Sequence, residues 1–194
     1  MNKDQILEAA AQIFSTKGYH AASMQDIANA VHLQKASLYH HISSKQEILL
    51  ALLDQALDVL IERLEEVVAR PLPPDEKLRQ AILTYMQTLG ENRELASVLL
   101  LEYRSLKPEY LERHIPRRDR FERIWRALID DGIRSGVFAA VCTDSALAAR
   151  ALLGVMNWSI FWYRPDGPLS MQSIAADFAE LFLSGLLTRE SPHG

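Results

Sequence analysis

Apolar residues recur along this chain at helical spacing from its first turn. Ile6, Ala9, Ala10, Ile13 and Phe14 follow the i, i+3, i+4, i+7, i+8 pattern of a one-sided helix, predicted over Lys3 to Lys17 with Gly18 as its stop. Ser23 can cap a two-turn helix from Met24 to about Val31, with Asp26 in the first turn, where the positive end of the helix dipole favours an anion. A third short helix is expected from Gln34 to about His41. A fourth, capped by Ser43 or Ser44, carries Ile48, Leu52, Leu53, Leu57, Leu60, Leu64 and Val67 until Arg70-Pro71-Leu72-Pro73-Pro74 breaks it. Further helices are predicted at about 75–89, 92–106, 108–135 with a break or kink at Pro116, 144–163 and 170–188. Gly90, Gly136 and the Pro165-Asp166-Gly167-Pro168 turn punctuate them. No stretch alternates as a strand would, so the expected fold class is all-α.

Composition narrows the classes of function. With 48% hydrophobic and 24% charged residues in 194, the chain can bury a sizeable core and is not a disordered or fibrous protein. Its one cysteine, Cys142, cannot form an intrachain disulfide or a cysteine-based metal site, and no basic-then-apolar leader opens the sequence. A cytoplasmic protein is expected. The longest apolar runs fall short of the roughly 20 residues of a membrane helix, so no membrane partner is expected. Net charge is -4, but residues 1–50 hold four lysines, four acids and no arginine, and are near neutral and histidine-rich.

Two short helices joined by a tight turn, the first holding Ile27, Ala28 and Val31 and the second Leu38 and Ile42, have the spacing of a helix-turn-helix. Small Ala28 lets the second helix cross closely. Such a unit would project Gln34, Lys35, Ala36, Ser37, Tyr39 and His40 into a major groove, where modest side chains and hydrogen-bond donors let the backbone approach the duplex. The run Ile27-Ala28-x-x-Val31-x-Leu33-x-Lys35-x-Ser37-Leu38-Tyr39-His40-His41-Ile42-x-Ser44-Lys45-x-Glu47-Ile48-Leu49 resembles the DNA-binding domain of the TetR family of transcriptional regulators. Phe14, Gly18 and Ser23 also match that pattern. The resemblance implies Lys35, Tyr39 and His40 at bases or backbone, and Ser23, Ser37 and Lys45 at phosphates. Two positions depart from it: His32 stands where the family usually has Gly, and Gln34 where it has Ser. Histidine tolerates the left-handed conformation that such a turn requires, and Gln34 adds an amide able to read adenine. A half-buried Tyr39 and a merely solvated Lys45 are the plainer alternatives. The adjacent His40 and His41 point about 100° apart on a helix and make a poor metal pair, so neither metal nor cofactor is expected.

Catalytic signatures are missing. There is no G-x-x-x-x-G-K-[ST], G-x-S-x-G or H-E-x-x-H, and Cys142 has no nearby histidine in sequence. The expected domains are a DNA-binding domain over 1–44, with its motif at about 23–42, and an effector-binding and dimerisation domain over 45–190. The family resemblance implies a homodimer formed by the last two helices, about 144–163 and 170–188, and an effector pocket within the larger domain. Small residues Ala148, Ala149, Ala151 and Gly154 among larger apolar ones suit a helix that packs closely against others. Asn157, Trp158, Phe161, Trp162 and Tyr163, followed by Arg164-Pro165-Asp166-Gly167-Pro168, resemble TetR-family members that respond to acyl coenzyme A thioesters. The implied function is a repressor released from a pseudo-palindromic DNA operator by a hydrophobic or amphiphilic effector, an acyl-CoA or fatty acid. The alternative is a DNA-binding adaptor with no effector.

The arginines Arg113, Arg117, Arg118, Arg120, Arg123 and Arg126 form the densest basic group. Were Pro116 the first residue of a new helix, Arg117 and Arg118 would sit at its positive end and border an apolar face with Phe121 and Trp125. That places Arg117, Arg118, Phe121, Trp125 and Phe161 as candidate effector residues. The alternative is a continuous helix whose arginines pair with Glu112, Asp119 and Glu122 on a solvated surface.

Overall fold

The computed structural model describes residues 2–139 and 144–186, and their regular structure is helical throughout. The helices are α1 Lys3–Lys17, α2 Met24–Ala30, α3 Lys35–His41, α4 Lys45–Val68, α5 Pro74–Glu91, α6 Arg93–Leu101, α7 Pro108–Arg134, α8 Ser145–Trp162 and α9 Met171–Leu186. Cys142 and the expected end of the last helix at Thr188 lie outside the described residues.

The chain divides into two compact units, Met1–Val59 with Asn92–Arg118, and Leu60–Glu91 with Asp119–Gly194. The boundary expected at Ser44 follows the motif alone. The compact unit around that motif is larger, because Leu49, Leu53, Val98 and Leu106 enter one core with Ile6, Phe14, Ile27 and Leu38. Within it α1 packs against both α2 and α6. Asn2 and Gln5 close a capping box at the start of α1, and Gly18 ends that helix at a φ of 79°, open chiefly to glycine.

One expectation is corrected and one open alternative is decided. The helix expected to run to Leu106 stops at Leu101, and a single 3-10 turn follows over Tyr103–Ser105. Glu102 stands at that break, where its carboxylate accepts from the Tyr19 N–H at 3.1 Å and from the Ser105 hydroxyl at 3.2 Å. Of the alternatives left open at Pro116, the continuous helix is the one found: α7 runs from Pro108 through Arg134 with the proline inside. Interior proline costs a helix about 3 kcal/mol. Ion pairs to α4 from Arg113, one turn before it, and from Arg117, just after it, flank the proline.

In the second unit α5 packs along α9, and Trp125 and Tyr85 are its largest fully buried side chains. Gly132 of α7 has no space for a methyl group, since a Cβ there would stand 2.0 Å from the buried Phe138 ring. Gly132→Ala should therefore lower stability by about 2 kcal/mol despite alanine's better helix propensity. A thermal denaturation midpoint at or above the parent's would count against that close approach.

Candidate nucleic-acid interface and effector unit

The turn between α2 and α3 is set by hydrogen bonds that the sequence only hints at. Leu33 N–H donates to Ala28 O at 2.8 Å and His32 N–H to Asn29 O at 3.1 Å, the paired closure of a helix that ends in a left-handed residue. His32 is that residue, with φ 54°. Ala28 is fully buried under the turn, and Leu38 of α3 reaches the same core.

α3 presents Lys35, Ala36, Tyr39 and His40 to solvent at i, i+1, i+4 and i+5, one face of a two-turn helix, with Ser37 partly buried beside them. Tyr39 is 45% exposed, so it belongs to that surface and not to the core. Gln34 is the N-cap residue of α3, makes no side-chain capping bond and leaves its amide at the surface.

Ser23 and Lys45 differ from the rest of the expected DNA set. The Ser23 hydroxyl donates to Asp26 Oδ2 at 2.7 Å and accepts from the Asp26 N–H at 3.1 Å, completing the capping box of α2. That bond and the Lys17 ammonium, 3.0 Å away, hold the Asp26 carboxyl down at about 2. The Lys45 ammonium donates to Tyr19 O at 2.8 Å and Ala22 O at 2.7 Å and lies 4.2 Å from the centre of the Tyr19 ring. Partial burial lowers its pKa. Two of its three donors are thus committed to the α1–α2 turn.

Beside Lys45, sequence reasoning missed Gln46. Its buried amide donates to Tyr19 OH at 2.7 Å and Ser105 O at 2.9 Å, and its Oε1 accepts from Lys107 N–H at 2.9 Å. The start of α4, the α1–α2 turn and the segment after α6 are tied through one side chain. A glutamine in the first turn of a predicted helix carries no signal of this.

The arginines of α7 turn toward acids of α4. Arg113 pairs with Glu47 at 2.8 Å, and Arg117 reaches both Asp54 at 2.9 Å and Asp58 at 3.0 Å. Buried His114 meets the other oxygen of Asp54 through Nδ1 at 2.8 Å. In the second unit Arg120 grips Glu65 with bonds of 2.8 to 3.0 Å. Arg113, Arg117 and Arg120 thus find partners across on α4, neither at a helix terminus nor in the local acids Glu112, Asp119 and Glu122. With no helix starting at Pro116, the anion trap expected at Arg117 and Arg118 loses its physical basis; Arg118 is partly buried.

Phe121 and Trp125 do come together, with ring centroids 6.3 Å apart, and Tyr85 of α5 stands 5.8 Å and 5.5 Å from them. The Tyr85 hydroxyl donates to Asn157 Oδ1 at 2.6 Å, and burial pushes its pKa up. Trp125 is fully buried, yet among the described residues its indole N–H has no acceptor. Phe161 is not in this cluster. It is 61% exposed, and its ring lies tilted 4.8 Å from that of Trp158, which is likewise exposed on α8. Leu147, Val155 and Leu181 are exposed with them on α8 and α9, where Gly154 and Gly185 have no neighbouring atoms to crowd a Cβ.

Comparison with known proteins agrees with this arrangement. Residues 6–52 match the family model of bacterial regulatory proteins of the tetR family, and residues 71–186 match that of the tetracyclin repressor-like C-terminal domain. The HTH-type transcriptional repressor KstR2 of Mycobacterium tuberculosis is 28% identical over 95% of this chain and 92% of its own. The crystal structure of the TetR family transcriptional regulator PfmR from Thermus thermophilus is 40% identical, covering 93% of this chain and 97% of that one with a TM-score of 0.84. AibR, solved in complex with isovaleryl coenzyme A and operator DNA, is 27% identical over 93% of this chain and 97% of that one, with a TM-score of 0.86.

Proposed function

The chain belongs to the TetR family of bacterial regulatory proteins, a DNA-binding transcriptional regulator and not an enzyme, and we propose that it is a homodimeric repressor released from its operator by an acyl thioester or fatty acid. The observation that carries the DNA side is the exposed face of α3, with Lys35, Ala36, Tyr39 and His40 held outward by buried Leu38. Gln34, Lys35, Tyr39 and His40 read bases or backbone, and Ser37 meets a phosphate. The exposed apolar faces of α8 and α9 are covered by a second copy. A two-fold dimer then sets two α3 helices on successive major-groove faces, so half-sites are centred about one helical turn, roughly 34 Å, apart. No helix among the described residues is long and apolar enough to cross a membrane, in keeping with a regulator that works on cytoplasmic DNA.

For the effector, AibR's complex with an acyl thioester supports the chemical class, and the Trp125 indole supports the place. A buried donor without an acceptor costs about 1 to 3 kcal/mol, and a carbonyl lodged beside Phe121, Trp125 and Tyr85 would relieve that cost. Selection of bound DNA from random fragments tests the operator: an inverted repeat is expected, and recovery of none defeats the reading. Titrating the DNA complex with acyl coenzyme A thioesters of increasing chain length tests release.

Within the reading head the lysines should separate. Lys35→Ala is expected to relax preference at particular base pairs, by roughly 1 to 3 kcal/mol each. Lys45→Ala should lower the melting temperature while leaving the slope of affinity against salt unchanged, because its ammonium clamps Tyr19 O and Ala22 O. A slope smaller by about one, with unaltered melting, would return Lys45 to a phosphate.

A further inference from the structure

A groove of about 460 Å³ opens on the second unit over the outer stripe of α7. Its floor is apolar: Val68 from the end of α4 and Ile124, Ala127 and Leu128 from α7. Its rim is basic, with Lys77 from the first turn of α5 on one side and Arg120, Arg123 and Arg134 from α7 on the other. Two acids, Glu65 and Asp131, offset part of that charge. Glu65 is consumed by Arg120, whose guanidinium bonds both carboxylate oxygens, and Asp131 lies 3.6 Å from Arg134, too far for a strong bond. Among the described residues Lys77 and Arg123 have no ion pair. Two cations without an ion pair, on different helices, thus line one apolar trough, and the volume suits a small ligand.

We propose that this groove binds a soluble amphiphile bearing a phosphate, with its apolar segment on the floor and the phosphate held by Lys77 and Arg123. A carboxylate carries one charge and would neutralise only one of the two cations. A phosphate carries about -1.5 to -2 charges and three acceptor oxygens, enough for both. The groove stands on its own lining and does not depend on the Trp125 cluster, so either site can fail without the other.

Calorimetric titration of the full chain with decyl phosphate, decanoate and decanol provides the test. Decyl phosphate should bind at least tenfold more tightly than decanoate, decanol more weakly still, and affinity for the phosphate should fall as salt rises. In Lys77→Gln/Arg123→Gln that affinity should drop tenfold or more with melting unchanged. Ala127→Glu, at an exposed position, gives a second variant that places a carboxylate on the floor and should abolish binding. Equal affinity for decyl phosphate and decanol, or decyl phosphate binding unaltered in both variants, would overturn the site. Capture of phosphatidylglycerol vesicles without binding of decyl phosphate would overturn it too, by assigning the face to a membrane.

Discussion

Trp158→Asp/Leu181→Asp should leave a folded monomer that binds a full operator 10² to 10⁴-fold more weakly than the parent, the gain that linking two half-site contacts confers. Both side chains are more than three-fifths exposed on single-chain α8 and α9, at 62% and 66%, so neither contributes much to the core of its own chain. A two-fold interface repeats every substitution, and each large apolar side chain removed from water is worth about 1.5 to 3 kcal/mol. Four carboxylates brought into one apolar seam, with nothing to pair them, add a desolvation cost. Gly154 and Gly185 sharpen the expectation, because their open surroundings let a second pair of helices approach closely. Sedimentation velocity and gel shifts on full and half operators read both effects. Half-site affinity should be preserved. A variant that sediments as a dimer, or a monomer that grips the full operator as the parent does, would remove the α8–α9 face from the assembly.

Much of this molecule was legible before its structure, and the reasons differ by region. Elements whose apolar spacing is regular and whose caps are local were readable to within a residue or two: α1 with its Gly18 stop, α2 behind Ser23, and α8 behind Asp144. The α3 surface could be read because a two-turn helix with one buried leucine leaves few choices of outward face. What escaped depends on partners distant in sequence. At Pro116 the local signal left a helix start and a continuous helix both open, and the acids that Arg117 meets on the continuous helix lie about 60 residues away along the chain. The pairing of α7 arginines with α4 acids is invisible to periodicity, which says what faces a helix presents and not what meets them. Tyr85 follows the same rule: it is buried on α5 with Leu78, Ala81 and Leu89, and only α5's packing set it beside Trp125. Lys45 and Gln46 depend on distant partners too: the fold supplies backbone carbonyls to both side chains, which their charge and position do not reveal.

Trp125 should separate stability from response. Trp125→Ala removes the largest fully buried side chain, which touches Tyr85 and Phe121 edge-on, and is expected to cost about 3 to 5 kcal/mol. Such a loss is a large share of the stability of an ordinary domain and would by itself blur any effect on ligand. Trp125→Phe is the informative change. It keeps an aromatic ring in the same slot and deletes the indole N–H that lacks an acceptor. Lost apolar area destabilises, while removal of an orphaned donor stabilises by about 1 to 3 kcal/mol, so the net change should stay within about 1.5 kcal/mol. The effector, deprived of that donor, loses a hydrogen bond of about 1 kcal/mol net, and release of the DNA complex should then need roughly fivefold more acyl thioester. DNA affinity without effector should not change, because the substitution lies in the second compact unit and α3 in the first. Chemical denaturation and effector titration of both variants measure the two quantities separately. If Trp125→Phe responds to thioester at the parent's concentrations, the indole does not meet the effector, and the site must be sought elsewhere in the second unit.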